Sequence, residues 1–353
     1  MKILFLLKKG VEYGDYSNSK KGGLYNSATI LSEELYNLGY ETKVVQCVDG
    51  NGVDKEVYNY RPDACVIEAL WVTPAKIREV AKLHSNVEFI VRIHSELSFL
   101  QNEGIAMGWI GEYIEDGETG VAFNSEETTH EFRNLYGKDK RIGYLPNIYH
   151  SVGTNEYNNR KFTRERLAYF FSSPKKPHLK RVNVGCFGAI RPLKNQLIEA
   201  VAAITYANKH NKELTFFMNT TRQEQGGETV YKNIISLFKQ FPQHKLVELP
   251  WMNRTDFLQL LGSMDVNLQC SFSESFNIIA ADSTLQHVPI VVSDAIKWAP
   301  VINKIPENTA EDIVKKIEQA MSFKYFFEWS QIFSLNKYNE KAARVWLSTF
   351  CEW

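Results

Sequence analysis

Two carboxylates stand eight positions apart in the stretch SFSESFNIIAADSTLQ, where Glu274 precedes an apolar run that contains Asp282. The pattern predicts that Glu274 lies in a loop after a buried strand and that Asp282 lies about a turn and a half into the next helix. Three backbone amides would line the start of that helix, those of Ser275, Phe276 and Asn277. A carboxylate can accept hydrogen bonds from sugar hydroxyls, and amides at a helix start can donate others. The stretch therefore predicts either a site for a polar, uncharged ligand or a helix-capping acid with an exposed aspartate.

Two cations occur in the segment CFGAIRPLKNQ, which ends another predicted strand and supplies Arg191 and Lys194 to the following loop. An arginine can bind a phosphate through two parallel hydrogen bonds, and a lysine can add a compact positive charge. Pro192 between them restricts the backbone and gives the pair a defined direction. The segment predicts a phosphate site, with two solvated loop cations as the alternative.

Two further features follow predicted strands in the first half of the chain. Gly22 and Gly23 precede a helix, so the backbone there can approach a ligand closely and the helix start can face an anion. A plain turn is the alternative reading of these glycines. His94 follows the apolar strand VEFIVRI. It is either a satisfied residue at the edge of the sheet or a side chain that points into a cleft between domains.

Predicted strands and helices alternate twice along the chain, which places these residues at the carboxyl ends of strands. The strands of the first half are KILFLL, TKVVQCV, DACVIEA, VEFIVRI and GVAF, and those of the second half are VNVGCF, LTFFM, KLVEL, DVNLQC and PIVV. Such alternation predicts parallel sheets with helices on both faces, and these sheets bind ligands beyond the carboxyl ends of their strands. We therefore predict an α/β protein with two Rossmann-like, doubly wound domains that face each other across a cleft.

A break near residues 150–181, rich in charged and turn-forming residues, separates the two halves. The predicted first domain covers residues 1–165, and a basic linker covers residues 166–181. The second domain covers residues 182–325. Residues 326–353 are predicted to form a helical tail that packs back on the first domain.

Composition narrows the choice of function. The 353 residues include 41 Lys+Arg and 41 Asp+Glu, so no global charge attracts nucleic acid or an anionic membrane. The five cysteines show no CxxC spacing, as expected for a protein of the reducing cytoplasm. The N-terminal MKILFLLKKG is expected to form a first strand, not a signal peptide, and no apolar run is long enough to span a membrane.

Taken together, these features resemble the retaining nucleotide-sugar glycosyltransferases of glycosyltransferase family 4, which have the GT-B fold. The resemblance extends over nearly the whole chain and depends on Gly22–Gly23, His94, Asn124–Ser125 with Asn147, Arg191 with Lys194, and Glu274 with Asp282. The second acid of that family is usually a glutamate, so Asp282 is a departure. Its shorter side chain changes how the nucleotide ribose would be held.

The resemblance implies a hexosyl- or pentosyltransferase that binds a UDP-sugar between its domains, mainly through the second one, with the first on the acceptor side. Arg191, Lys194 and the helix after Gly23 would stabilise the departing diphosphate. Glu274 and the amides of residues 275–277 would orient the sugar, Asp282 would hold the ribose, and His94 would lie near the anomeric carbon. The base would stack on a loop formed by Pro250, Trp251 and Met252. Reaction with retention would need neither an enzyme nucleophile nor a metal, and no Asp-x-Asp motif or cofactor site stands out.

A basic segment, residues 160–181, bears on the acceptor because its eight Lys/Arg residues are interleaved with aromatic ones. Its candidate DNA-binding residues are Arg160, Lys161, Arg164, Arg166, Lys175 and Lys176. The segments EALWVTP, VRIHSELSFLQNEGIA and GAIRPLKNQ also resemble glycosyltransferases encoded by T-even-type phages. That resemblance implies transfer to 5-hydroxymethylcytosine in double-stranded DNA, in the host cytoplasm. A solvated linker with packed aromatics is the alternative.

Two other functions compete with this one. A cytoplasmic transferase for cell-surface polysaccharide or lipid-linked glycan would often carry a basic amphipathic helix for the membrane, and no clear one is found in the first domain. A non-catalytic sugar-nucleotide-binding protein would have no need for His94, Arg191, Lys194 and Glu274 together. The presence of these four residues favours an enzyme.

Overall fold

The computed structural model describes residues 1–9, 22–152 and 181–352, whose backbone forms two parallel β-sheets flanked by helices. The strands of the first sheet are β1 (Lys2–Lys8), β2 (Glu41–Cys47), β3 (Ala64–Glu68), β4 (Glu88–Ile93), β5 (Gly120–Phe123) and β6 (Ile142–Tyr144). The helices of this domain are α1 (Gly23–Asn37), α2 (Gly52–Tyr60), α3 (Pro74–Leu83), α4 (Leu97–Leu100), α5 (Ala106–Asp116) and α6 (Glu126–Tyr136).

The second sheet belongs to the C-terminal half. Its strands are β7 (Arg181–Cys186), β8 (Glu213–Asn219), β9 (Lys245–Leu249), β10 (Val266–Gln269) and β11 (Ile290–Val292). The helices are α7 (Gln196–Lys209), α8 (Gly227–Gln240), α9 (Arg254–Leu261), α10 (Ile278–Leu285), α11 (Ala310–Ser322) and α12 (Lys324–Glu352), with short 3-10 helices at Pro192–Lys194 and Val301–Asn303.

The strand order creates a crevice in each domain. It is β2-β1-β3-β4-β5-β6 in the first sheet and β11-β10-β7-β8-β9 in the second, and all pairs are parallel. The order reverses between β1 and β3 and again between β7 and β10, where loops leave in opposite directions. The loops after β7 and β10 carry Arg191, Lys194 and Glu274. The predicted fold of two doubly wound α/β domains is confirmed.

The central strands are covered by helices on both faces, which explains why they are continuous apolar runs. Within β1, for example, Ile3, Leu4, Phe5 and Leu6 are fully buried. Two charged residues are exceptions to this apolar pattern of the central strands. Glu68 at the end of β3 and Arg92 in β4 are also fully buried, and they are register partners on adjacent strands. Their pairing supports the site described below.

Local signals fix the two helix starts that matter most for the site. The start of α1 is capped by Gly22, with no side-chain hydrogen bond to its first turn. The start of α9 is capped by Asn253, whose side chain accepts a 3.0 Å hydrogen bond from the backbone N–H of Asp256. This cap holds Arg254, the first residue of α9, at the end of the loop after β9.

The long helix α12 crosses from the second domain to the first. Near its start it supports β11, because the Gln331 side chain accepts a 3.1 Å hydrogen bond from Ile290 N. Farther along, the Trp346 ring lies edge-on to Phe5, with 6.1 Å between ring centroids, and its Nε1 donates to Pro146 O at 2.8 Å. The helix therefore holds the two sheets in a defined relation to each other.

Candidate functional site

A cleft between the two domains has about 460 Å³ of empty space, including the part that is open to solvent. The first domain contributes the start of α1 through Gly23 and Asn26. The second domain contributes Gly188, Asn219, Trp251, Met252, Arg254, Phe257, Ile278, Ile279 and Asp282. The crevice of the first sheet and the crevice of the second sheet therefore open into one site.

Asp282 is buried at one wall of this cleft and is held by two residues from distant parts of the chain. Arg254 binds it through two hydrogen bonds, Nη2 to Oδ1 at 2.8 Å and Nη1 to Oδ2 at 3.2 Å. The hydroxyl of Tyr149 donates to Oδ1 at 2.5 Å. Burial raises the pKa of Asp282, and Arg254 acts against this rise. The cleft is therefore lined by an arginine–aspartate pair and not by an isolated carboxylate.

The loop after β9 forms the adjacent wall. Trp251 N donates to Thr221 Oγ1 at 2.9 Å, and Pro250 O accepts a 3.3 Å hydrogen bond from the Asn219 side chain. The guanidinium of Arg222 lies 5.1 Å from the centroid of the Trp251 ring, in cation–π range. These contacts order an aromatic surface that a planar base could cover.

Arg191 lies where the two domains meet. Its Nε donates to Glu224 Oε2 at 2.6 Å, and its guanidinium lies 4.9 Å from the centroid of the Phe99 ring in α4 of the first domain. In the same region Ser98 Oγ donates to Ser273 Oγ at 2.6 Å. Arg191 therefore belongs to a contact between the two domains.

Lys194 and Glu274 form an ion pair, so the two residues predicted to bind opposite ends of a ligand contact each other directly. Ser271 Oγ also donates to Glu274 Oε1, at 2.8 Å. Both side chains keep some exposure, 19% for Lys194 and 10% for Glu274. Each charge is compensated by the other, and each remains accessible to a ligand.

The segment before α10 differs in detail from the sequence prediction. The helix begins at Ile278, and Asn277 has φ 64° and caps it through a 2.9 Å hydrogen bond from Ala280 N. The Phe276 side chain is buried in the core, with its ring 5.9 Å from that of Trp298. Ser275 Oγ donates to His94 O at 2.8 Å across the domain boundary. Backbone amides remain the atoms through which Phe276 and Asn277 could contact a ligand.

His94 uses both ring nitrogens within the first domain. Nε2 contacts Glu68 Oε2, and Nδ1 lies 3.2 Å from the Asn124 side-chain nitrogen. Because that amide nitrogen donates, Nδ1 accepts and the ring proton is on Nε2. Burial lowers the pKa of His94, although Glu68 opposes the shift, so the ring is neutral near pH 7. Contact with a sugar would therefore involve the carbon edge of the ring or its backbone carbonyl.

Arg92 completes the network beneath His94. Its Nη1 donates to both Glu68 oxygens at 3.1 Å, its Nη2 donates to Asn147 Oδ1 at 2.6 Å, and its Nε donates to Leu145 O at 2.8 Å. Burial acts to raise the pKa of Glu68, but Arg92 and His94 together lower it. The network fixes His94 and the Leu145–Asn147 segment on one buried carboxylate.

Glu199 in α7 lies beneath the Lys194 loop and predicts a pH effect on stability. It accepts from Cys186 Sγ at 2.8 Å and from the Cys270 amide, and burial raises its pKa to about 7. An unfolded glutamate has a pKa of about 4.3, so the folded state holds the proton more tightly between about pH 4.3 and 7. The free energy of unfolding should therefore fall through this window, by about 4 kcal/mol in total.

Glu199→Gln should remove this pH dependence, because glutamine stays uncharged; its one oxygen can still accept from the Cys270 amide, with the side-chain NH2 group toward Cys186 Sγ. The measurement is urea-induced unfolding of both proteins from pH 4 to 8. An unchanged difference between wild type and variant across this range would contradict the assignment.

Some of the predicted site residues line the cleft, and others do not. Gly23, Trp251, Met252 and Asp282 line the cleft. Gly22 and Pro250 are sequence neighbours of lining residues, whereas Arg191, Lys194, Glu274 and Ser275 lie in the loops after β7 and β10, outside the set of lining residues given above. Arg160, Lys161, Arg164, Arg166, Lys175 and Lys176 lie outside the described residues. Their predicted contact with DNA stays a prediction.

Sequence reasoning missed several residues of the site. Arg222 and Glu224 follow β8, and Arg254 follows β9, so all three come after the carboxyl end of a strand. The rule that singled out Arg191 and Glu274 would have indicated them too. Asn26 and Phe257 carry no such signal, because they are ordinary residues of amphipathic helices.

Two kinds of feature are absent from the described ranges. No helix there combines the length and the apolar composition needed to cross a membrane. Across residues 1–9, 22–152 and 181–352, no group of three or more His, Cys, Asp or Glu side chains is arranged to hold a metal ion.

The architecture matches solved structures over its full length, although no family model and no curated protein gives a significant match to the sequence. Sucrose-phosphate synthase from Thermosynechococcus elongatus aligns with a TM-score of 0.65 at 10% identity, covering 99% of this chain and 97% of that one. Trehalose 6-phosphate synthase from Burkholderia multivorans gives 0.64 at 11%, covering 100% and 98%. HepE from Anabaena, in complex with UDP, gives 0.62 at 13%, covering 100% of both chains. The protein therefore has the two-domain GT-B fold of these glycosyltransferases.

Proposed function

We propose that this protein is a glycosyltransferase that moves a hexose or pentose from a UDP-sugar to a hydroxyl group. The observation that carries the proposal is the cleft between the two domains, which combines a helix start, an aromatic loop, a buried acid and nearby cations. A nucleoside-diphosphate sugar has matching parts, namely a planar base, a ribose, a charged diphosphate and a polar sugar. UDP is favoured because HepE, which shares the fold, is described in complex with UDP.

The donor would lie along the cleft in a defined order. The base would cover the loop of Pro250, Trp251 and Met252, and the ribose would contact the Arg254–Asp282 pair. The diphosphate would then reach the start of α1 at Gly22 and Gly23, where backbone N–H groups favour an anion. The sugar would lie near Glu274 and the amides of residues 275–277.

The difficult step is the departure of a diphosphate that carries growing negative charge. In the structure Lys194 and Glu274 neutralise each other, and we propose that a bound donor separates their tasks. Lys194 would turn to the diphosphate, and Glu274 would accept hydrogen bonds from the sugar hydroxyls. Fixed cations stabilise the transition state because they are already in place when the charge develops.

Retention and metal independence are part of the proposal, as the resemblance to glycosyltransferase family 4 implies. The acceptor hydroxyl would attack from the face that the diphosphate leaves, with His94 beside the anomeric carbon. The anomeric configuration of the product, read by NMR, tests retention. An unchanged rate in the presence of a chelator would support a mechanism without metal.

For the acceptor we propose 5-hydroxymethylcytosine in DNA, because the chain contains the basic segment, residues 160–181, and resembles T-even-type phage enzymes.

The experiment that tests this acceptor incubates the protein with labelled UDP- and GDP-sugars and with hydroxymethylated DNA, plain DNA, a lipid-linked glycan or a sugar phosphate. Label transfer to hydroxymethylated DNA alone, from a UDP-sugar and with strong salt dependence, is the expected result. Transfer only to the glycan or the sugar phosphate would overturn the DNA acceptor. Nucleotide binding without any donor turnover would indicate a non-catalytic binder.

A further inference from the structure

A single carboxylate, that of Glu224 in the loop after β8, joins two arginines. Arg191 Nε donates to its Oε2 at 2.6 Å, and Arg222 Nε contacts its Oε1. Arg191 contacts the acid through both Nε and Nη2, whereas Arg222 contacts it through Nε, so these contacts involve neither Nη1 of Arg191 nor the Nη groups of Arg222. Burial acts to raise the pKa of Glu224, but Arg191 and Arg222 outweigh this effect and lower it. The carboxylate is therefore ionised, and the three residues together carry a net positive charge.

The backbone holds the two arginines on one rigid base. Ile190 N donates to Arg222 O at 2.9 Å, and Glu224 N donates to Ile190 O at 3.0 Å, so the loops after β7 and β8 pair like short strands. Gly227 makes this close approach possible, because a Cβ there would lie 2.1 Å from Ile190 O. Because the two loops are hydrogen-bonded to each other, a backbone movement of one loop would also move the other and the arginine that it carries.

Both guanidiniums lie between the domains. Arg191 lies over Phe99 of the first domain, and Arg222 lies over Trp251, which lines the cleft. Arg222 Nη1 is also 3.5 Å from the point where a Cβ on Gly22 would be. Arg222 is therefore close both to the aromatic loop and to the start of α1. A dianionic group placed between base and sugar would meet it there.

We propose that Arg222 contacts the diphosphate of the donor as the partner of Arg191, and that Glu224 is a positioning residue that aims both guanidiniums. The inference rests on the proposed function and deepens it. Lys194, which is paired with Glu274, then supplies a third cation near the sugar. Paired guanidiniums suit a diphosphate because each can offer two parallel N–H donors to phosphate oxygens.

The test is calorimetric titration of uridine, UMP and UDP into the full-length wild type, Arg222→Gln, Arg222→Lys and Glu224→Gln. Arg181→Gln is the matched control, because Arg181 forms an exposed ion pair with Glu213 at the opposite end of β7. Arg222→Gln should weaken UDP binding at least tenfold and leave uridine within about twofold of wild type. Arg222→Lys keeps the charge and should lose less.

The Glu224→Gln variant tests whether Glu224 acts by positioning the two arginines or only through its negative charge. Removing a negative charge would by itself strengthen the binding of an anion. If Glu224 instead orients the two guanidiniums, its replacement should weaken UDP binding three- to tenfold and leave uridine binding unchanged. UDP binding that stays the same or tightens would overturn the role of Glu224. Unchanged UDP binding by Arg222→Gln, or an equal loss for uridine and UDP, would overturn the role of Arg222. A wild type that binds none of the three nucleotides would overturn the proposed function and this inference together.

Discussion

Replacing Lys194 with alanine is expected to slow transfer from a UDP-sugar by about two to three orders of magnitude, as when a preorganised charge-stabilising group is removed elsewhere. The ammonium group contacts Glu274 in the structure, and the Lys194 side chain is 19% exposed. Its attraction for the diphosphate grows as the sugar bond breaks, so turnover should fall more than UDP affinity. The measurement is the rate of UDP release at saturating donor, together with the dissociation constant of UDP.

Lys209→Ala is the matched control for this experiment. Lys209 is also an ion-paired lysine of the second domain, but it contacts Glu318 on an exposed surface at 2.8 Å. Its replacement should leave turnover within about twofold, since exposed pairs contribute little. Near-normal turnover by a folded Lys194→Ala variant would contradict the assignment of Lys194 to the departing diphosphate.

Much of the fold could be predicted because each sheet is buried on both faces. Runs such as KILFLL and DACVIEA have few other interpretations in a chain where strands and helices alternate. The positions of Arg191, Lys194 and Glu274 followed from the same reasoning, because the carboxyl ends of strands are where loops can carry chemistry. The sequence predicts a loop that carries Arg191 and Lys194, and the structure has a short 3-10 helix at Pro192–Lys194 within that loop.

The partners of these residues could not be predicted, because they come from distant segments. Tyr149 and Arg254 meet Asp282 only when the crossover between domains and the loop after β9 are in place. Phe276 looked like part of a ligand loop, but its neighbours Tyr149 and Trp298 draw its ring into the core. Packing of this kind leaves no periodic signal in the sequence.

The buried pair of Glu68 and Arg92 does leave a signal in the sequence, although the motifs described above do not include it. Glu68 is the one charge of β3, and Arg92 interrupts the apolar run of β4, whose other charge, Glu88, lies at the start of the strand. Neighbouring parallel strands place Glu68 and Arg92 opposite each other. Burying one such charge alone costs several kcal/mol, so two of opposite sign in adjacent strands indicate a pair. Considered together, the two residues indicate from sequence alone that a buried ion pair supports His94.

Arg92→Met should accordingly lower the stability of the first sheet by about 3–5 kcal/mol, because it leaves the Glu68 carboxylate buried with only His94 as a partner. Hydrogen exchange of the β3 and β4 amides measures the effect locally. The control is Arg181→Met in β7, since Arg181 and Glu213 also face each other on adjacent parallel strands but are 80% and 61% exposed. That variant should lose at most about 1 kcal/mol.

The double variant Glu68→Gln with Arg92→Met decides whether the loss comes from an unpaired charge or from poor packing. If the charge is responsible, adding Glu68→Gln should restore part of the stability, and the two effects will not add. In the wild type, by contrast, acid should lower the stability. Because the folded pKa of Glu68 is lowered, its stabilising contribution is present above the unfolded value of about 4.3 and is lost as the pH falls toward the folded one. Strictly additive losses, or an acid response unchanged by Glu68→Gln, would show that packing of the Arg92 side chain, and not its charge, supports this part of the site.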